Sequence, residues 1–136
     1  MMITIPSIGL ALDRDLLPQI NKPKDFIDML DKKEIPHKEE MVDPDTLKAI
    51  QTEFDKDKIA NIMLEPYNLM GIIISNDNYI LDGHHRWVAA YNKGIKIKAT
   101  RVDLPILELI NIAKRNNVTE CVKNVIKNAV GSRYYK

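Results

Sequence analysis

The sequence predicts an α+β fold, a compact single domain over residues 1–136 in which helices pack on a small mixed sheet and a helical pair closes the C-terminal end. Three observations carry this. The β-branched run Ile72-Ile73-Ile74 and the alternating stretch Ile95–Val102 read as strands, one buried on both faces and one on a single face. Phe26, Ile27 and Leu30, and again Ile59, Ile62 and Met63, recur at helical spacing. The chain has 136 residues, 45% apolar and 29% charged, which buries a real core without disulfide or metal staples.

Residues 1–22 read as extended or irregular, with one apolar run at Ile8–Leu12. Pro23 stands where a first helical turn tolerates proline, and a helix follows over Lys24–Lys33. Lys38–Val42 suits a short strand. Asp43 and Asp45 fall where an N-cap belongs, ahead of Thr46–Ile50. Asp55 to about Leu64 is an amphipathic helix. After the strand Ile72–Ser75, the cluster Asn76-Asp77-Asn78 turns the chain into a returning strand, Tyr79–Leu81, making a hairpin. Gly83 opens a helix containing Trp87, Val88, Ala90 and Tyr91, and Gly94 stops it as a left-handed C-cap. Trp87, set among apolar neighbours, is expected in the core. The strand Ile95–Val102 leads to two helices, Pro105–Arg115 and about Val118–Val130. The second has a one-sided apolar stripe that includes Val118, Cys121, Val122 and Val125.

Charge and cysteine content narrow the function. Lys plus Arg number 20 and Asp plus Glu 19, a net charge of +1, so no bulk attraction to nucleic acid or membrane is built into the whole chain. No apolar run approaches a membrane span, and the N-terminus lacks a basic-then-apolar signal sequence. Cys121 is the one cysteine, so neither an internal disulfide nor a thiolate metal site is available, and a cytoplasmic location is expected.

Chemistry concentrates in Tyr79-Ile80-Leu81-Asp82-Gly83-His84-His85-Arg86-Trp87, a strand, an Asp-Gly turn and a helix start crowded with polar side chains. The first N–H groups of a helix have no partner within it, and the macrodipole places partial positive charge there. Gly83 removes the Cβ that would hold a guest away from the backbone, and Arg86 offers a planar fork to phosphate oxygens. His84 and His85 are read as further donors, because three polar residues together at this helix start have no evident structural purpose. Phosphate is the expected guest. Asp82 is left with three options: holding a metal ion, accepting from a substrate hydroxyl, or capping the helix. Neighbouring histidines point about 100° apart on a helix, so His84 and His85 do not chelate one metal together, and no zinc site is expected.

The stretch from Ile80 to Ala90, with the strand ending at Val102-Asp103, resembles the ParB/sulfiredoxin superfamily. The order upstream is similar as well: Val42-Asp43-Pro44 and Leu47 leading to Gln51, then a helix, then Ile72-Ile73-Ile74. The resemblance covers about residues 40–103, leaving the C-terminal helices at 104–130. Sulfiredoxins place a cysteine directly before their His-Arg pair, and His84 stands there in this chain, so sulfur chemistry is not expected. Partition proteins grip CTP with Gly-Glu-Arg-Arg and continue into a long helix-turn-helix region. Here Gly83-His84-His85-Arg86 stands instead, and too few residues follow Asp103 for that region. The Asp-Gly-His-His-Arg form most resembles free serine kinases and phage-type ParB-like proteins.

That resemblance implies that Gly83, His84, His85 and Arg86 bind the phosphates of ATP or ADP, with CTP also possible, and that Mg²⁺ bridges them, with Asp82 as its protein ligand and a catalytic residue. The activity implied is phosphoryl transfer to a small hydroxyl acceptor. The kinases of this branch use an upstream glutamate as base. Gln51 occupies the similar position here and cannot act as a base, which leaves Glu53, two residues on, as the candidate. This departure puts catalysis in question while leaving nucleotide binding intact, so a catalytically silent nucleotide-binding adaptor is one alternative. The other is a DNA-binding or nuclease role. The last residues have Arg115, Lys123, Lys127, Arg133 and Lys136 against Glu120 alone, and the Asn116-Asn117 turn between two helices imitates a helix-turn-helix, with Asn124 and Asn128 as base-reading candidates.

Overall fold

The computed structural model describes residues 2–13, 16–18, 20–64 and 71–115. Its elements run α1 (Pro23–Lys32), β1 (His37–Val42), a single 3-10 turn (Pro44–Thr46), α2 (Lys56–Leu64), β2 (Ile72–Ile74), β3 (Ile80–Asp82), α3 (His84–Lys93) and β4 (Ile97–Val102). A further helix, α4, covers residues 106–115. The strands form one mixed sheet in the order β1-β4-β2-β3, with β1–β4 and β2–β3 antiparallel and β2–β4 parallel. This is the α+β class expected. The second C-terminal helix, with Cys121 and the basic residues beyond Arg115, lies outside the described residues.

Alternation along the strands sends side chains to two separate cores. Ile72, Ile74, Ile80, Ile97 and Ala99 meet Ile59 of α2 and Trp87, Val88 and Ala90 of α3 on one face. Ile73, Leu81 and Val102 meet Phe26 and Leu30 of α1 and Ile106, Leu109 and Ile110 of α4 on the other. An unbroken Ile-Ile-Ile run is what a central strand covered on both faces needs. At the hairpin, Asn78 takes a positive φ of 69°, a conformation that asparagine tolerates. Arg101 braces the hairpin by donating from Nη1 to the Ser75 carbonyl and to Asn78 Oδ1, and from Nε to Glu40.

One local expectation is corrected. Asp43 and Asp45 introduce only the 3-10 turn, with no side-chain cap, and Thr46–Ile50 does not continue as helix. The chain extends instead. Lys48 and Ala49 bridge to Tyr79 and Ile8, with Lys48 N–H donating to the Asn78 carbonyl at 2.9 Å and Gly9 N–H to the Ala49 carbonyl at 3.0 Å. The reason is burial with a period of two: Leu47 and Ala49 belong to one core and Ile50 to the other, which a helical turn cannot arrange. Trp87 is fully buried, and its indole N–H donates to the Pro44 carbonyl at 2.7 Å, tying α3 to the 3-10 turn. Among the described residues no helix is long and apolar enough to cross a membrane.

Candidate functional site

The Asp-Gly-His-His-Arg stretch sits at the junction of β3 and α3. Asp82 ends the strand, Gly83 turns the chain at φ 97°, ψ 29°, and His84 begins the helix. No side chain caps α3, and the start of this helix borders a cleft. That cleft has two adjoining lobes. The smaller, about 240 Å³, is lined by Asp82, Gly83, His84, His85 and Arg86 together with Lys58. The larger, about 550 Å³, is lined by Asp13, Glu53, Phe54 and Asp55 among others. Leu17, Gln51, Lys58 and His85 border both lobes.

Of the expected site residues, Asp82, Gly83, His84, His85 and Arg86 therefore share one lobe, and Glu53 lies in the other. Arg86 Nη2 donates to Asp82 Oδ2 at 3.3 Å, an i,i+4 contact from the first turn of α3 back to the end of β3. Its Nε is buried and has no acceptor, so the guanidinium keeps unused donor capacity. Asp82 caps nothing. Burial raises its pKa above the ordinary 3.8, with the Arg86 and Lys58 charges opposing the rise. Glu53 is exposed, and its carbonyl oxygen accepts from Gln51 Nε2 at 2.8 Å.

Both histidines use Nε2 as an acceptor and so have a structural purpose, while each ring keeps an Nδ1–H as donor. His84 is 6% exposed, and its Nε2 accepts the Ile50 N–H at 3.2 Å. His85 is half-buried, and its Nε2 accepts the Asp55 N–H at 3.0 Å. An accepting Nε2 requires a neutral ring with its proton on Nδ1. Burial, helped by His85, lowers the His84 pKa to about 3. Burial and the Lys58 charge lower that of His85, with Asp55 opposing. Phe54 meets both rings edge-on, with centroids 6.3 Å from His84 and 5.9 Å from His85.

Two contributors escape a reading of the sequence. Lys58 is exposed on α2, borders both lobes and brings a positive charge to Asp82 and His85. In the sequence it is one of two lysines at the polar start of an amphipathic helix. Leu17, Pro18 and Ile20 line the cleft wall as well, and no local pattern places them there. For a metal, Asp82 is a hard oxygen ligand suited to Mg²⁺. No group of three or more His, Cys, Asp or Glu side chains able to hold an ion exists among the described residues. Mg²⁺ characteristically binds through one or two carboxylates together with substrate phosphates, so a single Asp82 fits a metal that arrives with a nucleotide.

No family model, curated protein or solved structure matches this chain.

Proposed function

We propose that this cleft binds the phosphates of a nucleotide at the start of α3 and passes the terminal phosphoryl group to a small hydroxyl acceptor in the larger lobe. The observation that carries the reading is the convergence, on one 240 Å³ lobe, of an uncapped helix start, the Arg86 guanidinium and Lys58. Helix N–H groups, a guanidinium and an ammonium are the usual means of holding phosphate oxygens. The order of strand, Asp-Gly turn and His-His-Arg helix start also agrees with what a ParB/sulfiredoxin resemblance implies, which supports the same reading.

In the proposed reaction, the acceptor hydroxyl loses its proton to Glu53 and its oxygen bonds to the terminal phosphorus. The bond from phosphorus to the bridging oxygen breaks, and the shortened nucleotide leaves with the electron pair. Arg86, Lys58 and the α3 N–H groups offset the charge on the transferred group, so catalysis is mostly positioning and electrostatics. Asp82 is the carboxylate on this wall that would hold Mg²⁺, whose contribution when bound is to neutralise phosphate charge.

Calorimetry with ATP, ADP and CTP, each with and without Mg²⁺, tests the binding. Arg86→Ala is expected to weaken nucleotide binding about 10- to 150-fold, the worth of a charge-assisted contact of ~1.5–3 kcal/mol, without loss of the fold. A wild-type protein that binds none of the three at millimolar concentration overturns the reading. Glu53→Gln is expected to lower turnover about 10²- to 10⁴-fold with nucleotide affinity nearly unchanged, because a base acts on the acceptor. Binding without turnover on a broad panel of hydroxyl compounds would leave a nucleotide-binding adaptor.

A further inference from the structure

We propose that His85 is a positioning residue whose neutral ring clamps the start of α2 to the start of α3, setting Lys58 against the phosphate lobe, and that His85 Nε2 does not itself contact phosphate. The effect on nucleotide rests on the reading above; the clamp does not. Asp55 is fixed at three atoms. Its N–H donates to His85 Nε2 at 3.0 Å, its Oδ1 accepts the Lys58 N–H at 3.1 Å, and its carbonyl accepts the Ile59 N–H at 3.1 Å. The last two bonds make Asp55 the N-cap of α2. The first passes that cap to α3, one residue before Arg86. His84 repeats the device on the same loop through Ile50, and Phe54 lies edge-on to both rings. An Nε2 already accepting a backbone N–H has neither a proton to donate nor a lone pair to spare, so the ring's ability to reach phosphate oxygen through that atom is already used. Lys58, three residues after the cap and bordering both lobes, is the cation whose place depends on the clamp.

The experiment has three arms. In histidine ¹⁵N spectra of the free protein at pH 7, both rings are expected as the Nδ1–H tautomer, and His85 is expected to stay so when ADP and Mg²⁺ are added. A shift of the His85 proton to Nε2 on addition overturns the proposal. In the free protein, His85→Leu is expected to speed amide exchange at Asp55 and Lys58 about tenfold, whereas His85→Gln, which keeps an acceptor at similar reach, stays within about threefold of wild type. Unchanged exchange in His85→Leu, or equal exchange in both variants, overturns it. Finally, His85→Leu is expected to weaken ADP binding about fivefold in the native background but less than about twofold in Lys58→Ala, since one acts through the other. Equal losses in the two backgrounds overturn it. Absence of ADP binding by the wild-type protein counts against the proposed function alone, because the exchange arm decides the clamp without nucleotide.

Discussion

Lowering the pH from 7 to 5 is expected to cost the folded state about 2 kcal/mol through His84 alone. The ring is buried between α3 and the 47–50 segment, and its Nε2 accepts the Ile50 N–H, a bond that an imidazolium cannot make. Its folded pKa is lowered from 6.5 to about 3, by burial first and by His85 second. The sign follows from which state takes the proton. Above pH 6.5 neither state binds it, and the stability owed to the neutral ring is fully present. As pH falls below 6.5 the unfolded chain is protonated while the folded chain is not, so stability is lost continuously until the folded pKa is reached. Over the whole window the loss is on the order of 4–5 kcal/mol, a large share of what a domain this size has. His85, also lowered, acts in the same direction. Asp82 acts in the opposite one: its folded pKa is raised, so its contribution is present below 3.8 and is lost as pH rises through the raised value. Urea titrations at pH 7 and pH 5 on the wild type and on His84→Gln isolate the histidine, since Asp82 is common to both. The variant is expected to lose about 2 kcal/mol less between the two pH values. The same pH dependence in both proteins would mean that His84 is not the buried neutral acceptor described.

The local signals that succeeded are those in which one physical constraint dominates. Gly94 at φ 67° ends α3 because glycine takes that conformation without the strain a Cβ brings, and the Ile-Ile-Ile run is a central strand because it is covered on both faces. Asp43 and Asp45 misled because a carboxylate ahead of a turn says only where a helix can start. How far it continues was settled by Leu47, Ala49 and Ile50, whose partners lie far away in the sequence. At the site, Asp82, Gly83 and Arg86 were legible since they stand on one strand–turn–helix unit. The histidines stand at the start of α3, where the sequence pattern puts them, yet their partners, the backbone N–H groups of Ile50 and Asp55, are 34 and 30 residues away, and backbone groups leave no mark in a sequence. Lys58 and Leu17 were not legible for a related reason: only the packing of α2 and of the irregular N-terminal segment brings them to the cleft.

Gly83→Ala is expected to destabilise the fold by about 2–4 kcal/mol, and to do so by two separable effects. The first is conformational: at φ 97° an L side chain is strained whatever surrounds it. The second is steric. A Cβ at Gly83 would stand 2.5 Å from Ile72 Cγ2 and 2.9 Å from Arg86 Nη2. The arginine tip can swing away, at the expense of its contact with Asp82. Ile72 cannot, being 1% exposed in a central strand between β3 and β4. Gly94 is the internal control: its φ of 67° is also positive, but nothing lies within 4 Å of the Cβ it would gain. Gly94→Ala therefore carries the conformational cost alone, about 1 kcal/mol, and the excess in Gly83→Ala combines the collision with Ile72 and the added strain of φ 97° over 67°. A second comparison checks the assignment. Ile72→Ala is costly by itself because it empties a packed site, but in the Gly83→Ala background it also relieves the overlap, so the double variant is expected to be more stable than additivity predicts by about 1 kcal/mol or more. Equal costs at Gly83 and Gly94, or strict additivity with Ile72→Ala, would show that the turn moves aside and that the close approach of β2 to the helix start is not what requires glycine there.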